Sequence, residues 1–224
     1  MTDLHVLRVF ADEDGRGGNP LGVVLDGAAV PAGRRQEIAT RLGYSETVFV
    51  DDAARGALRI FSPSAELAFA GHPSVGTAWL LAREGLAVDV LRPPAGEVPV
   101  RRDGELVFIA GRPDWAPPFE HIQLGSPAEV DALSGPPSDH GFAAFWAWEE
   151  ETVGRVRSRV FPVSLGVDED EATGSAAMLL GGLLGCELTI RQGAGSLLHV
   201  RPRPDGLVEV GGRVALDEVC ELAV

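Results

Sequence analysis

Residues 4–9 alternate apolar and polar positions, which predicts a strand with one buried face. The Gly-rich run 15–20 reads as a loop, and 21–25 as a second strand. From 31 to 42 the apolar spacing turns helical (Ile38, Leu42) and stops at Gly43. Strands are expected over 47–50 and 58–61. Between 73 and 83 apolar residues occupy nearly every side (Val75, Ala78, Trp79, Leu80, Leu81). A helix without a polar face is a helix enclosed by other structure.

The second half repeats this plan. Strands are expected over 145–148 and 156–161, then a second all-apolar helix over 172–184, then short strands at 188–191, 197–201 and 207–210. Arg59-Ile60-Phe61 and Arg159-Val160-Phe161 each precede a loop and a small-residue helix start, Gly76-Thr77-Ala78 and Gly174-Ser175-Ala176. The spacing differs by two residues, so the pattern suggests an internal duplication. The expected fold is α+β, with two pseudo-duplicate lobes. Each lobe is a curved, mostly antiparallel half-barrel sheet around a buried central helix. The lobes are placed at 1–103 and 104–224, with the final segment able to pack back on the first lobe. Pro93-Pro94-Ala95-Gly96 begins the crossover, and loops are expected over 113–140.

Composition narrows the function. Of 224 residues, 45% are hydrophobic and 23% charged, as in an ordinary globular chain. The net charge of −14 opposes a phosphate backbone or an anionic membrane surface, so neither nucleic acid nor membrane is an expected partner. All 19 basic residues are arginines, which removes lysine Schiff-base and phosphate-loop chemistry. The cysteines, Cys186 and Cys220, form no metal-binding spacing, and the five histidines are scattered (5, 72, 121, 140 and 199). With no signal-like start and no run long enough to span a bilayer, a cytoplasmic location is expected.

His72, in Ala70-Gly71-His72-Pro73, stands just before one buried helix; Asp170, in Asp168-Glu169-Asp170-Glu171, just before the other. Alone, the first more often caps or packs, and the second sits in a solvated acidic loop. Glu46 begins a strand, and Ser175 reads as helix packing as readily as a ligand contact. Two pseudo-duplicate lobes would bring both loops to one cleft, where small-molecule sites form. Glu46, His72 and Asp170 then make an acid–base set beside two helix N-termini suited to a carboxylate. Such a set can move a proton at carbon with no metal and no cofactor.

At these residues the sequence resembles the PhzF family of phenazine-biosynthesis isomerases. The carrying pieces are Gly18-Asn19-Pro20, Ser45-Glu46-Thr47-Val48-Phe49, Leu58-Arg59-Ile60-Phe61-Ser62-Pro63, Gly71-His72-Pro73-Ser74-Val75-Gly76-Thr77-Ala78, Glu169-Asp170-Glu171-Ala172-Thr173-Gly174-Ser175-Ala176 and Gln192-Gly193, in that order. The resemblance implies the diaminopimelate-epimerase-like fold with its site between the lobes. It implies isomerisation of trans-2,3-dihydro-3-hydroxyanthranilate without a cofactor, and a homodimer. It gives Glu46 the role of acid/base, with His72, Asp170 and Ser175 assisting. Asn19, Gly71, Pro73, Thr173 and Gly174 would contact substrate.

Two departures bear on substrate. Glu171 replaces a usual proline and either raises the pKa of Asp170 or faces solvent. The second lobe is shortened, around Ala194-Gly195-Ser196. The expected function is therefore a cofactor-independent isomerase of a small carboxylated molecule. The alternatives are a binding or regulatory protein on the same fold, or a two-base epimerase without thiols.

Overall fold

The computed structural model describes residues 2–136 and 141–222. Strand β1 (Thr2–Ala11) pairs antiparallel with β2 (Asn19–Val24). Helix α1 (Ala32–Leu42) follows and ends where Gly43 turns left-handed at φ 71°, its N–H donating to the Ala39 carbonyl. Strand β3 (Glu46–Asp52) then runs parallel to β2 and antiparallel to β4 (Ala57–Phe61). The short β5 (Glu66–Leu67) leads to helix α2 (Gly71–Arg83). Val75, Ala78, Leu80 and Leu81 of α2 are fully buried. The valine and leucine side chains among these each contribute about 1.5–3 kcal/mol on burial.

After α2 come β6 (Val90–Leu91) and a hairpin of β7 (Val98–Asp103) and β8 (Leu106–Gly111). The 103/104 division falls in the tight turn of this hairpin. Strand β9 (Glu120–Gln123), helix α3 (Pro127–Asp131), β10 (Ala143–Glu150), β11 (Arg155–Phe161) and helix α4 (Gly174–Leu184) follow.

The second half has the order and pairing of the first. Strands β9 and β10 are parallel, as are β2 and β3; β10 and β11 are antiparallel, as are β3 and β4. The Phe49–Phe61 rings meet edge to face at 5.6 Å, and the Phe145–Phe161 rings at 5.9 Å. Arg59 pairs with Glu66, and Arg159 with Glu169 at 2.6 Å, each pinning the loop that precedes a buried helix.

This duplication corrects the loop expected over 113–140. Residues 120–123 form β9 and 127–131 form α3, the counterparts of β2 and α1. Pairing with β10 holds the four-residue strand, and Ser126 caps α3 through Glu129 N–H with Pro127 at the first turn. Residues 137–140, the rest of that stretch and the site of His140, lie outside the described residues.

Strands β12 (Leu188–Gln192), β13 (Ser196–Pro202) and β14 (Val208–Leu222) close the chain. The last is fifteen residues long where a short strand was expected. Its first part pairs with β8 and β13, and its second part lies antiparallel along β1. One fourteen-stranded sheet therefore runs through both lobes, joined at β1 and β14. Gly211 allows the crossing, since a Cβ there would lie 2.4 Å from the Val107 carbonyl oxygen.

The second apolar helix is buried over its first two turns but surfaces at its end, where Leu183 is 68% exposed. Among the described residues no helix is long and apolar enough to cross a membrane.

Candidate active site

Glu46 is the first residue of β3, and parallel pairing places it opposite Leu21 of β2. Its side chain is only 17% exposed, because α2 starts beside it. His72 is the second residue of α2 and is itself buried. Its Nδ1 lies 2.9 Å from Glu46 Oε2. That separation suits an ion pair, but the ring N–H is not aimed for a hydrogen bond. Glu46 Oε2 and His72 Nε2 are thus both buried without a hydrogen-bond partner among the described residues. Buried polar atoms are ordinarily paired, and of these two residues it is Glu46 that lines a cavity where another group could complete its contacts.

Asp170 comes from the second lobe, held beside β11 by its N–H, which donates to the Val160 carbonyl at 2.9 Å. Asn19 Nδ2 donates to its Oδ1 at 2.7 Å, and the Thr173 hydroxyl donates to Oδ2 at 2.6 Å. Despite these donors its pKa is raised to about 6. Desolvation in the cleft is the largest cause and the Glu46 carboxylate the next; Thr173, His72 and Asn19 act the other way. Asp170 therefore changes charge close to neutral pH.

The two buried helices meet at their N-termini. A Cβ on Gly71 would lie 3.2 Å from Gly174 Cα, and one on Gly174 would lie 3.1 Å from His72 N, so glycine at both positions lets the helices approach this closely. Neither N-terminus is capped by a side chain. Their N-cap residues, Ala70 and Thr173, line the same cavity of about 340 Å³. Two positive dipole ends converge there.

Glu46, Asp170, Thr173 and Ser175 line this cavity. Asn19, Gly71, His72, Pro73 and Gly174 are not part of its wall. Gly71 and Gly174 meet at the junction of the two helices. Asn19 is buried holding Asp170 and the Ala172 carbonyl through Nδ2, while its Oδ1 accepts from the Ser45 hydroxyl. His72 reaches the cavity only through Glu46.

Glu171 does neither thing expected of it. Its carboxylate accepts from the Ala194 N–H at 2.9 Å and from the Ser196 hydroxyl at 2.6 Å. Ser196 Oγ in turn accepts the Gly18 N–H at 2.9 Å. Glu171 thus clasps the shortened 194–196 turn and, through it, the first-lobe loop that leads into Asn19.

Sequence reasoning also passed over Gln192, whose amide donates to Asp170 O and Thr173 Oγ1. It passed over the apolar wall of Phe69, Trp115 and Phe119 as well. Gln192 had a signal, the Gln192-Gly193 pair; the aromatic wall had none, being assembled from separate loops. Cys186 and Cys220 are free and exposed. Among the described residues no three His, Cys, Asp or Glu side chains converge to hold a metal ion.

Residues 7–114 match a family model described as PhzC-PhzF, phenazine biosynthesis-like protein. Over 202 residues the chain is 33% identical to trans-2,3-dihydro-3-hydroxyanthranilate isomerase of Pseudomonas fluorescens, covering 71% of this chain and 72% of that one. The chain belongs to the PhzF family. The Pseudomonas aeruginosa enzyme of the same name is 34% identical over 216 residues, with 77% and 76% covered. Like these PhzF relatives, the chain is an isomerase.

The PhzF fold is equally evident. A PhzC/PhzF protein from Clostridium difficile superposes with a TM-score of 0.81 at 21% identity, covering all of both chains. A proline racemase from Agrobacterium radiobacter superposes at 0.66 and 12% identity, covering 100% of this chain and 93% of that one, so the PhzF lobes share the epimerase-like architecture.

Proposed function

We propose that the protein isomerises a small carboxylated molecule by moving a proton between two of its carbons, with Glu46 as the acid/base. The observation that carries this reading is the pairing of Glu46 from one lobe with Asp170 from the other on a single cavity at two uncapped helix N-termini. The substrate carboxylate sits at those N-termini, a local anion site in a chain of net charge −14. The Glu46 carboxylate takes a proton from a saturated carbon, and the C–H electron pair becomes part of a shifted double bond. The same carboxyl returns the proton to a second carbon, so no atom or electron is gained or lost. His72 positions Glu46, and Asp170, titrating near neutral pH, hydrogen-bonds to or exchanges a proton with the reacting molecule. Ser175 orients it. This set needs no group beyond its own side chains.

Trans-2,3-dihydro-3-hydroxyanthranilate, on which the Pseudomonas relatives act by name, is the first substrate to test. Isomerised product from the native chain and none from Glu46→Gln supports the reading. A second reading, two-base epimerisation, is favoured by the origin of the two carboxylates on opposite lobes. It gives inversion at one carbon instead of a proton shift between two, and chiral analysis of the product separates the two.

A further inference from the structure

Resting on the isomerase reading of this cleft, we propose that Gln192 is a positioning residue of the site. It turns the Thr173 hydroxyl so that its proton points at Asp170, and thereby holds Asp170 as a hydrogen-bond-accepting carboxylate. Gln192 is the last residue of β12, is 1% exposed, and is not part of the cavity wall. Its strand end is fixed by the buried Arg157, whose guanidinium donates to the Arg191 carbonyl at 3.1 Å and the Gly193 carbonyl at 2.8 Å.

The direction of each bond follows from what each atom can do. Gln192 Nε2 lies 2.9 Å from the Asp170 carbonyl oxygen and 3.0 Å from Thr173 Oγ1. A carbonyl only accepts, so the amide nitrogen, and not the amide oxygen, faces both atoms. Its second N–H therefore goes to Thr173 Oγ1. A hydroxyl has one proton; with its oxygen receiving from Gln192, that proton goes to Asp170 Oδ2 at 2.6 Å. Thr173 stands at the N-cap of α4, where a threonine oxygen ordinarily accepts from an N–H of its own helix. It makes no such bond here, and its side chain serves Gln192 and Asp170 instead.

The other oxygen is fixed in the same way. Asn19 Nδ2 gives one N–H to the Ala172 carbonyl at 3.0 Å and the other to Asp170 Oδ1 at 2.7 Å. Each oxygen of Asp170 thus faces a donor whose direction is set through a backbone carbonyl, and an ionised carboxylate satisfies both. Of the charged groups around it, Glu46 of β3 and His72 of α2 act on Asp170 directly. Glu169 is paired with Arg159, and Glu171 turns to Ala194 and Ser196. A Thr173 hydroxyl free to turn away leaves burial and the Glu46 charge less opposed, so Asp170 takes up its proton at higher pH.

Carboxyl-carbon NMR titration of Asp170 in the substrate-free chain tests this. Gln192→Met keeps the length of the side chain and removes both N–H groups, and the Asp170 midpoint is expected to rise by about half a pH unit or more. Thr173→Val is expected to raise it at least as far, and Thr173→Ser, which keeps the hydroxyl, to leave it in place. Gln192→Met added to Thr173→Val is expected to move it no further, because no hydroxyl is left to aim. If Gln192→Met does not fold, Gln192→Asn, one methylene shorter and unable to reach both acceptors at once, carries the same expectation. The limb of the kcat/KM pH profile governed by Asp170 is expected to move with the midpoint. A glutamine that only supports the fold would lower stability and leave both where they were. An unmoved midpoint, a shift that adds in full to that of Thr173→Val, or a Thr173→Ser chain that shifts as Thr173→Val does overturns the proposal. The titration needs no substrate, so absence of proton exchange at carbon strikes the isomerase reading alone.

Discussion

Asn19 and Asp170, 151 positions apart, share a 2.7 Å hydrogen bond that spans the two lobes and fixes the second-lobe carboxylate over the cleft. The same amide nitrogen holds the Ala172 carbonyl at 3.0 Å, so one buried side chain sets both the position and the charge balance of Asp170. Asn19→Ala removes a donor that lowers the Asp170 pKa, and that pKa is expected to climb further above 6. Stability is expected to fall by about 1–3 kcal/mol, since buried acceptors lose their partner. Carboxyl-carbon NMR titration and urea denaturation measure the two effects. An unmoved Asp170 titration contradicts this role.

The raised Asp170 pKa has a signed effect on stability. The folded chain binds more protons than the unfolded one between the ordinary value of 3.8 and about 6. This group's contribution is therefore fully present below 3.8 and is lost as pH rises through about 6. Asp170→Asn is expected to gain stability relative to the native chain over that window. Denaturant midpoints at half-unit steps from pH 4 to 7 show it as converging or crossing curves, whereas parallel curves contradict it.

The Gly18–Ser196–Glu171 chain of hydrogen bonds is a second tie between the lobes. Ser196→Ala cuts it without touching the cavity wall. The Gly18 amide is expected to exchange with solvent at least tenfold faster. Global stability is expected to drop by about 1–2 kcal/mol. Hydrogen exchange read by mass spectrometry over residues 12–20 is the test, and unchanged protection there would mean the clasp holds nothing.

Much of this arrangement was legible in the chain. The two all-apolar helices, and the loops that precede them with His72 and Asp170, follow from hydrophobic patterning and the repeated Arg-x-Phe pieces. What escaped was structure held from a distance. Strand β9 is four residues with no pattern of its own, and its pairing with β10 makes it a strand. The second half of β14 mixes acids with half-buried residues, and only its lie along β1 extends it to Leu222. In the site, Glu46 and Asp170 could be read as charged residues at element starts. Asn19 could be assigned to substrate but not to Asp170, because that contact depends on how the lobes close. Glu171 could be seen to differ but not to turn toward Ser196.

The meeting of the helix N-termini admits a steric test. Gly174→Ala places a methyl group 3.1 Å from His72 N and 3.2 Å from Gly71 Cα. The helices must part by a few tenths of an ångström, at a cost of about 1–3 kcal/mol. That displacement also moves His72 against Glu46. Activity is expected to drop by at least tenfold in a chain that remains folded, as judged by circular dichroism and turnover. Full activity in folded Gly174→Ala shows that the site tolerates a wider junction.

The central claim is proton transfer at carbon through Glu46, and proton NMR in D2O reads it most directly. With trans-2,3-dihydro-3-hydroxyanthranilate the native chain is expected to catalyse deuterium incorporation or isomerisation at a substrate carbon. In Glu46→Gln this is expected to fall about 10²–10⁴-fold, with binding retained. Exchange at the native rate in Glu46→Gln contradicts the account.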